Sequence, residues 1–428
     1  MISSAFFIIL ILLFLISLPV AFSMGITAVM LMASTAHIRF GQIIQQMVGG
    51  VNTFTFLAVP MFLLAGKLMN ASGTTDRIFG FARNTIGWIP GGLGHANVFA
   101  SVLFAGKTGT AVGDVSALGA IQVKAMTEAG YDRPFSCAVS AASSTMGPIF
   151  PPSLPLIVYG TMSGASIGAL FLAGVLPGVV MAIIMFIVVS IFAVIRKYPR
   201  DPLPSIKTVL VSFARAILPL LSPVIIILGI FTGAFTPTEA AAIVVFYSTF
   251  LGVVIYRTLN LRKLWEILTE TVYDAAAIGL IVATATLFAN VVVRAMIPQH
   301  ALAFVTANIT SPIVLLIVIN IFLLIVGMFL ETISAITILM PLMLPLVNAM
   351  GINLVHFGIV VVLNLVIGVL TPPMGIVTFV MARVGKMSVP ALSYALLPWI
   401  AALIVALFIV TFVPEITLII PRMAGFIN

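Results

Sequence analysis

The chain has 428 residues, of which 62% are hydrophobic and only 7% are charged, and its mean hydropathy is +1.30. A water-soluble domain cannot bury so much apolar surface, so the composition excludes soluble enzymes and predicts an all-α polytopic membrane protein. The net charge of +8 does not indicate a nucleic-acid partner, because the basic residues lie in short gaps between apolar runs. The one cysteine, Cys137, excludes an internal disulfide and a cysteine metal site.

Apolar runs divide the first half of the chain into spanning and re-entrant segments. The run from Ala5 to Val20 has no basic segment before it and no clear cleavage site after it, so we expect a retained helix rather than a signal peptide. The predicted segments are spans at 5–22, 24–36 and 50–70, an interfacial arm at 71–98, a re-entrant hairpin at 98–125, a broken helix at 135–164 and a span at 167–195.

A charged, proline-rich linker over 196–208 separates this first repeat, 1–195, from a second repeat over 209–428. The second half resembles the first in its order of segments. Its predicted segments are spans at 209–233, 238–256 and 264–293, an arm at 295–309, a hairpin at 311–348, a broken helix at 356–383 and a last span at 389–413.

A shift of 221 residues superimposes the two broken helices on each other. The pairs that coincide are Gly130 with Gly351, Gly147 with Gly368, Pro151 with Pro372, Pro152 with Pro373, and Gly164 with Gly385. The glycine and proline content predicts far fewer coincidences by chance, so the pattern indicates an internal repeat. Two broken helices at matching positions are the best sequence pointer to a transporter binding site.

The prolines at these breaks predict a cluster of backbone oxygen ligands. Proline has no N–H for the carbonyl four residues earlier, so Pro148 and Pro151 free the carbonyls of Ser144 and Gly147. In the second repeat, Pro372 and Pro373 free those of Gly368 and Val369 in the same way. Within a membrane such groups need protein, water or an ion as a partner, and oxygen ligands suit a hard cation such as sodium.

The distribution of basic residues predicts the orientation of the chain. With the N-terminus in the periplasm, fifteen of the 19 Lys and Arg residues fall at cytoplasmic ends of the predicted segments. The first hairpin then enters from the cytoplasm and the second from the outside, so the two repeats have inverted topology.

Five motifs carry a resemblance that covers essentially the whole chain. They are VPMFLLAGKLM at 59–69, FAGKTGTAVGDVSALG at 104–119, GPIFPPSLPLIVYG at 147–160, TPTEAAA at 236–242 and GVLTPPMG at 368–375. In this order they resemble the large membrane subunit of tripartite ATP-independent periplasmic (TRAP) transporters, in the ion-transporter superfamily. The chain departs from the usual Ser-Gly-Ser hairpin tip, since Thr108-Gly109-Thr110 follow Lys107 here.

The resemblance implies a sodium-driven elevator with a scaffold domain and a mobile transport domain in the bacterial inner membrane. It also implies two protein partners, a small four-helix membrane subunit and a periplasmic substrate-binding protein that delivers an organic acid. Two or more Na⁺ ions would be the coupling ions, membrane lipid would surround the chain, and no nucleic acid is implied. Sialic acid and other sugar acids, C4-dicarboxylates and keto acids all stay open as substrates.

The candidate site residues lie at the two hairpin tips and the two helix breaks. The expected substrate-binding residues are Lys107, Thr108, Thr110, Asp114 and Arg294. The expected sodium ligands are Gly106, Thr108, Gly109, Ser144, Gly147, Pro148, Glu331, Thr332, Gly368, Thr371, Pro372 and Gly375. Intramembrane polar groups are usually functional, although threonines also cap helices and prolines also form simple packing kinks.

Several charged candidates have a structural alternative. Arg294 is either a bidentate clamp on a substrate carboxylate or an arginine that reaches the outer interface. Lys107 likewise has a substrate-binding and a structural alternative. Asp114 or Glu331 could form a structural ion pair with it. Glu239 is expected to complete a capping box with Thr236 rather than to act in transport.

The sequence favours a transporter over the other functions that a membrane protein can have. It contains no HExxH or GxSxG motif, so no enzyme is predicted, and the histidines show no metal-ligand spacing. Paired broken helices favour alternating access over a channel. The closer alternative is a stand-alone sodium–carboxylate symporter of the same fold that needs no binding protein.

Overall fold

The computed structural model describes residues 9–14, 16, 18–34, 40–309 and 311–427, and every regular element within these ranges is helical. Seven of the helical segments are long and apolar enough to cross a membrane. They are Phe54–Ala71, Ile167–Arg196, Ile206–Phe231, Pro237–Ile255, Leu261–Arg294, Thr332–Ala349 and Val389–Phe412. The prediction of an all-α polytopic membrane protein is therefore confirmed.

One group of helices packs around the longest helix of the chain. Its members are α1 (Val20–Ser34), α2 (Phe40–Val51), α3 (Ala58–Ala71), α11 (Ile206–Phe231), α12 (Pro237–Phe250) and α13 (Leu261–Arg294). Helices α1, α2 and α3 all pack on α13, and α12 packs on both α3 and α11. We call these six helices the first helix group.

The second helix group holds both hairpins and both broken helices. Its members are α5 (Gly92–Thr108), α6 (Ala111–Asp114), α7 (Ala120–Glu128), α8 (Arg133–Ser143), α9 (Leu154–Ser163), α10 (Ile167–Arg196), α15 (Pro312–Gly327), α16 (Thr332–Ala349), α17 (Leu354–Gly368), α18 (Ile376–Val384), α19 (Val389–Phe412) and α20 (Glu415–Met423). A π-helical turn, Val115–Gly119, joins α6 to α7. Within the group α9 packs on α16, and the π-helical turn packs on α18, so each broken helix contacts the hairpin of the other half.

Two short helices connect the groups. Helix α4 (Thr74–Ile86) packs on α5 and α11, and α14 (Ile297–Asn308) packs on α16 and α13. The sequence predicted these two segments as arms, but it did not predict α2. Three glutamines within Phe40–Val51 interrupt the apolar run there, so hydropathy alone does not detect this helix. Its other face packs on α13.

The helix bounds follow the 221-residue shift of the sequence pattern. Helix α6 begins at Ala111 and α16 at Thr332, while α8 begins at Arg133 and α17 at Leu354. The second halves of the broken helices, α9 and α18, end at 163 and 384. The Pro151–Pro152 and Pro372–Pro373 bonds are both cis.

Buried amide groups join the hairpin to the broken helix in both halves. In the first half, Asn97 of α5 donates to Ser140 at 2.6 Å and accepts from Ser143 at 3.0 Å, both on α8. In the second, Asn364 of α17 donates to the Oδ1 atom of Asn320 on α15 at 2.7 Å. Such interhelical hydrogen bonds hold apolar helices in a fixed register where no water competes.

A polar cluster fixes the start of α8 against the end of α10, outside the spanning segments. The Asp132 side chain caps α8 by accepting from the Phe135 N–H at 2.8 Å, and its other oxygen accepts from Arg196 at 2.8 Å and from the Tyr198 hydroxyl. Partial burial by itself raises the pKa of Asp132, but the hydrogen bonds from Tyr198, Phe135 and Arg196 outweigh it, so the pKa lies below its usual value.

This depressed pKa makes a prediction about stability and pH. A carboxylate whose pKa is lower in the folded state stabilises the fold above its unfolded pKa, and loses that contribution as the pH falls through the folded value. Asp132→Asn keeps a capping oxygen but removes the charge. We expect its melting temperature to lie several degrees below that of the parent at pH 7, with the gap closing below about pH 4.

Thermal unfolding in detergent across this pH range measures the effect. The matched control is Asp76→Asn, at an exposed carboxylate that makes no ion pair with another described residue. A difference for Asp132→Asn that stays constant from pH 7 to pH 3 would contradict the assigned role of its charge.

Candidate functional site

The tip of the first hairpin rests on the break in the first broken helix. Gly109 has a φ of +62°, a left-handed conformation that favours glycine, and a Cβ there would lie 3.1 Å from the Pro152 carbonyl oxygen and 3.1 Å from the Leu154 nitrogen. Thr110 then caps α6, with its hydroxyl oxygen accepting from the Gly113 N–H at 3.1 Å. The tip therefore turns at Gly109 and Thr110, both of which the sequence analysis named as candidate site residues.

Asp114 belongs to the same junction. Its side chain is buried, and a Cβ at Gly147 would collide with the Asp114 carboxylate. The carboxylate of α6 thus lies directly against the backbone at the break, where only a glycine leaves room for it. The adjoining Ser144 and Pro148 are also buried.

The second hairpin tip is organised by a carboxylate instead of a hydroxyl. Glu331 caps α16, with its Oε2 atom accepting from the Ile333 N–H at 2.9 Å and the Ser334 N–H at 3.2 Å. Acidic groups are favourable at a helix N-terminus because of the helix dipole. Glu331 is half-buried and the following Thr332 is buried, so this acidic cap lies at the edge of the buried interior.

The second break lies against the second hairpin through a contact between two glycines. A Cβ at Gly368 would meet the backbone of Gly327, and a Cβ at Gly327 would come 3.0 Å from the Gly368 Cα. The chains of α15 and α17 approach this closely because neither glycine carries a side chain. After the break, Thr371 donates through its hydroxyl to the Ile367 carbonyl at 2.8 Å.

The carbonyls at the breaks are less exposed than the proline spacing alone predicts. The carbonyl of Ser144 accepts from the Gly147 N–H at 3.1 Å, and that of Gly368 accepts from the Thr371 N–H at 2.8 Å. The carbonyl of Val369 accepts from the Val377 N–H at 3.1 Å. Turn hydrogen bonds at Ser144 and Gly368, and a bond across the break at Val369, thus supply a protein partner for each of these three freed carbonyls. Each carbonyl oxygen retains a second lone pair for another partner.

Both tips and both breaks line one cavity of about 410 Å³. Thr110 and Pro148 line it from the first half of the chain, and Glu331, Thr332 and Val369 from the second. The opposite wall comes from the first helix group, through α3 and α13. The cavity thus lies between the two helix groups and is the candidate site.

The wall from the first helix group carries a charged network that sequence reasoning missed. Asp274 of α13 lines the cavity and pairs with Lys67 of α3 at 2.6 Å, while Glu270 pairs with the same lysine at 3.4 Å. Glu270 and Asp274 are four residues apart on one helix, so both reach a single amine. The four-residue spacing of Glu270 and Asp274 was the only signal of this network in the sequence, since Lys67 lies far from both along the chain.

The structure places most of the predicted site residues at two locations and describes three others by their backbone alone. Gly109, Asp114, Ser144 and Gly147 surround the first junction, and Gly368, Thr371, Pro372 and Gly375 form the second break. For Gly106, Lys107 and Thr108 the structure describes the backbone of α5 only, so their side-chain roles lie outside the described residues.

Arg294 is not brought to the cavity. It is the exposed last residue of α13, twenty residues beyond Asp274, which corresponds to about 30 Å along a helix. The predicted capping box is present at α12, where Glu239 accepts from the Thr236 N–H at 2.8 Å and the Thr236 hydroxyl oxygen accepts from the Glu239 N–H at 3.3 Å.

Comparison with solved structures relates this arrangement to a known transporter fold. The solved structure of the YdaH transporter of Alcanivorax borkumensis matches with a TM-score of 0.66 over 90% of this chain and 88% of the other, at 14% sequence identity. At this identity the likeness concerns the fold alone.

Comparison of sequences identifies the family. The chain is 42% identical over 406 residues to the sialic acid TRAP transporter large permease protein SiaM of Vibrio cholerae, covering 95% of each chain. It is 37% identical over 372 residues to the C4-dicarboxylate TRAP transporter large permease protein DctM of Pseudomonas aeruginosa, covering 87% of each. The family model of the DctM component of the tripartite ATP-independent periplasmic transporter matches residues 7–416. The chain therefore belongs to the DctM-component family of tripartite ATP-independent periplasmic transporters.

Proposed function

We propose that this protein carries an organic acid anion across the inner membrane in symport with sodium, after a periplasmic binding protein has delivered the anion. The observation that carries the proposal is the single cavity at which two hairpin tips and two helix breaks meet. Family membership supports the transport class, and relatives named for sialic acid and for C4-dicarboxylates support a carboxylate as substrate.

The donor atoms at the two junctions fit sodium. Backbone carbonyls, threonine hydroxyls and carboxylates are all hard oxygen ligands. One ion would be held at the first junction by groups from Gly109, Ser144, Gly147 and Pro148. A second would be held by groups from Glu331, Thr332, Gly368, Thr371 and Gly375.

Electrostatics gives a reason for coupling anion transport to cations. A carboxylate lies at each tip, Asp114 in the first half and Glu331 in the second. Both disfavour an anion in the cavity until cations compensate them, and the low dielectric of the interior strengthens this repulsion. Sodium would therefore bind before the substrate and create the anion site, with Thr110 supplying a hydroxyl at its edge.

Movement of the second helix group against the first would carry the loaded site across the membrane. The two groups meet at the cavity and are connected through α4 and α14. The repeats would have inverted topology, with the N-terminus periplasmic. With more than one sodium per monoanion, each net charge moving inward gains about 2.3 kcal/mol per 100 mV of membrane potential.

Two partners complete the proposed transporter. A small four-helix membrane subunit would pack on this chain, and the binding protein would dock on the periplasmic face. The description of the family as tripartite supports both.

Reconstitution tests the proposal directly. Proteoliposomes that hold this chain with its small membrane subunit are expected to accumulate labelled sialic acid, a C4-dicarboxylate or a keto acid only with an inward sodium gradient and the binding protein. Uptake that is unchanged when potassium replaces sodium would overturn the sodium coupling. Sodium-driven uptake without the binding protein would instead identify a stand-alone symporter.

The second junction makes a separate prediction at Glu331. Glu331→Gln keeps an oxygen that can cap α16 but removes the negative charge. We expect the half-saturating sodium concentration for uptake to rise about tenfold, which corresponds to about 1.4 kcal/mol of ion-binding free energy. The melting temperature in the absence of sodium should stay within a few degrees of the parent value.

Glu128→Gln is the matched control, because Glu128 is exposed and makes only a loose pair with Lys124 at 3.9 Å. Its sodium dependence is expected to equal that of the parent. An unchanged sodium dependence in Glu331→Gln would remove this carboxylate from the ion site.

A further inference from the structure

A second cavity lies between α4 and α11, away from the candidate transport site. Its volume is about 450 Å³, and three of its lining residues are cationic, Arg77, Lys207 and Arg215. Asp76 is the one carboxylate in its lining. The cavity therefore has a net positive charge, in contrast to the acidic tips of the transport site.

Helical spacing explains why these residues face one another. On α11, Lys207, Val211 and Arg215 follow each other at intervals of four residues, so they share one face. The two cations lie two turns apart on this face, about 12 Å along the axis. On α4, Gly80 lies opposite them, and it leaves open space because a Cβ there would meet nothing within 4 Å.

Two of the three cations are not compensated by the protein. Arg77 is held in place, since it donates to the Gly73 carbonyl at 2.7 Å and stacks on the Tyr256 ring at 3.8 Å. Lys207 and Arg215 form no ion pair with any other residue of the described ranges. Two free cations facing one cavity at the surface favour an anionic ligand.

The surface beside the cavity is apolar. On α11 the side chains of Ile206, Leu210 and Phe213 are 81%, 61% and 42% exposed, and the helix is long and apolar enough to span a membrane. Arg215 lies nine residues after the start of this helix, and an arginine side chain is long enough to extend along the helix toward lipid headgroups. A ligand that fits both surfaces has an anionic head and hydrocarbon chains.

We propose that the cavity between α4 and α11 binds the phosphate headgroup of an anionic phospholipid. Basic pockets between membrane helices on the cytoplasmic side are suited to such headgroups. The assignment to the cytoplasmic leaflet rests on the orientation proposed above, whereas the binding itself does not depend on transport.

The position of the cavity gives the lipid a mechanical role. Helix α4 joins the first helix group to the hairpin of the second, and Phe81 of α4 lies 5.6 Å from the Phe213 ring of α11 and 6.4 Å from the Phe99 ring of α5. A lipid that bridges α4 and α11 would hold this connector against the first helix group while the second group moves.

Lipid titration of the full chain in a zwitterionic detergent tests the proposal. Phosphatidylglycerol is expected to raise the melting temperature, and phosphatidylcholine and inorganic phosphate are not. In Lys207→Gln/Arg215→Gln the apparent affinity for phosphatidylglycerol should fall about 30-fold, because each cation near an anionic lipid is worth about 1 kcal/mol. The control Arg262→Gln/Lys263→Gln removes two cations of α13 outside the cavity lining and should respond like the parent.

A second pair of variants tests the cavity without changing charge. Gly80→Leu places a side chain in the open space and should abolish the phosphatidylglycerol response, while Gly80→Ala should preserve it. An equal response to phosphatidylglycerol in the parent and in Lys207→Gln/Arg215→Gln would overturn the site. So would an equal loss of affinity in the control Arg262→Gln/Lys263→Gln. A response to inorganic phosphate that matches the lipid response would overturn the lipid assignment in favour of a free anion. Binding is measured without uptake, so failure here is distinct from failure of the proposed transport function.

Discussion

The structure depends on the way in which interrupted helices satisfy their backbone polar groups inside a protein that spans a membrane. An unpaired carbonyl or N–H in hydrocarbon costs several kcal/mol, so a break at membrane depth persists only where protein or a ligand supplies partners. At the first break the Gly147 N–H supplies a partner for the Ser144 carbonyl, and at the second the Thr371 N–H and the Thr378 hydroxyl supply partners for the carbonyls of Gly368 and Leu370. The second lone pairs of these carbonyls would be oxygen ligands already fixed in place for the proposed sodium ions.

The hairpins and the broken helices support each other. Gly109 brings the first tip onto the backbone of Pro152 and Leu154, and the paired glycines 327 and 368 bring the second hairpin onto the other break. Buried amides such as Asn97 and Asn364 then hold each hairpin in register. Small residues thus permit close approach, and the amide hydrogen bonds fix the relative position of the helices.

Charge divides the molecule into regions with different roles. The candidate site has Glu331 in its lining and Asp114 buried beside its first tip, and its opposing wall holds Asp274, which shares Lys67 with Glu270. The cavity between α4 and α11 has the reverse balance, with cations that no described carboxylate pairs. An acidic cavity suits cations that enable an anion to bind, and a basic one suits anionic lipid. The two ligands would act on the same connector, since α4 borders the lipid cavity and packs on the first hairpin.

The sequence by itself determined the membrane class, the family resemblance and the location of both tips and both breaks, because hydropathy, proline and glycine act locally and leave a regular pattern. The observed starts of α8 and α17 differ by the same 221 residues as the sequence pattern. Only the tertiary structure decided which groups meet. It placed Thr110 and Glu331 in the lining of one cavity, added Asp274, which pairs with Lys67, to its other wall, kept Arg294 at a distant helix end, and supplied partners for carbonyls that proline spacing had left free. Contacts between segments more than two hundred residues apart follow from helix packing, and no local pattern records them.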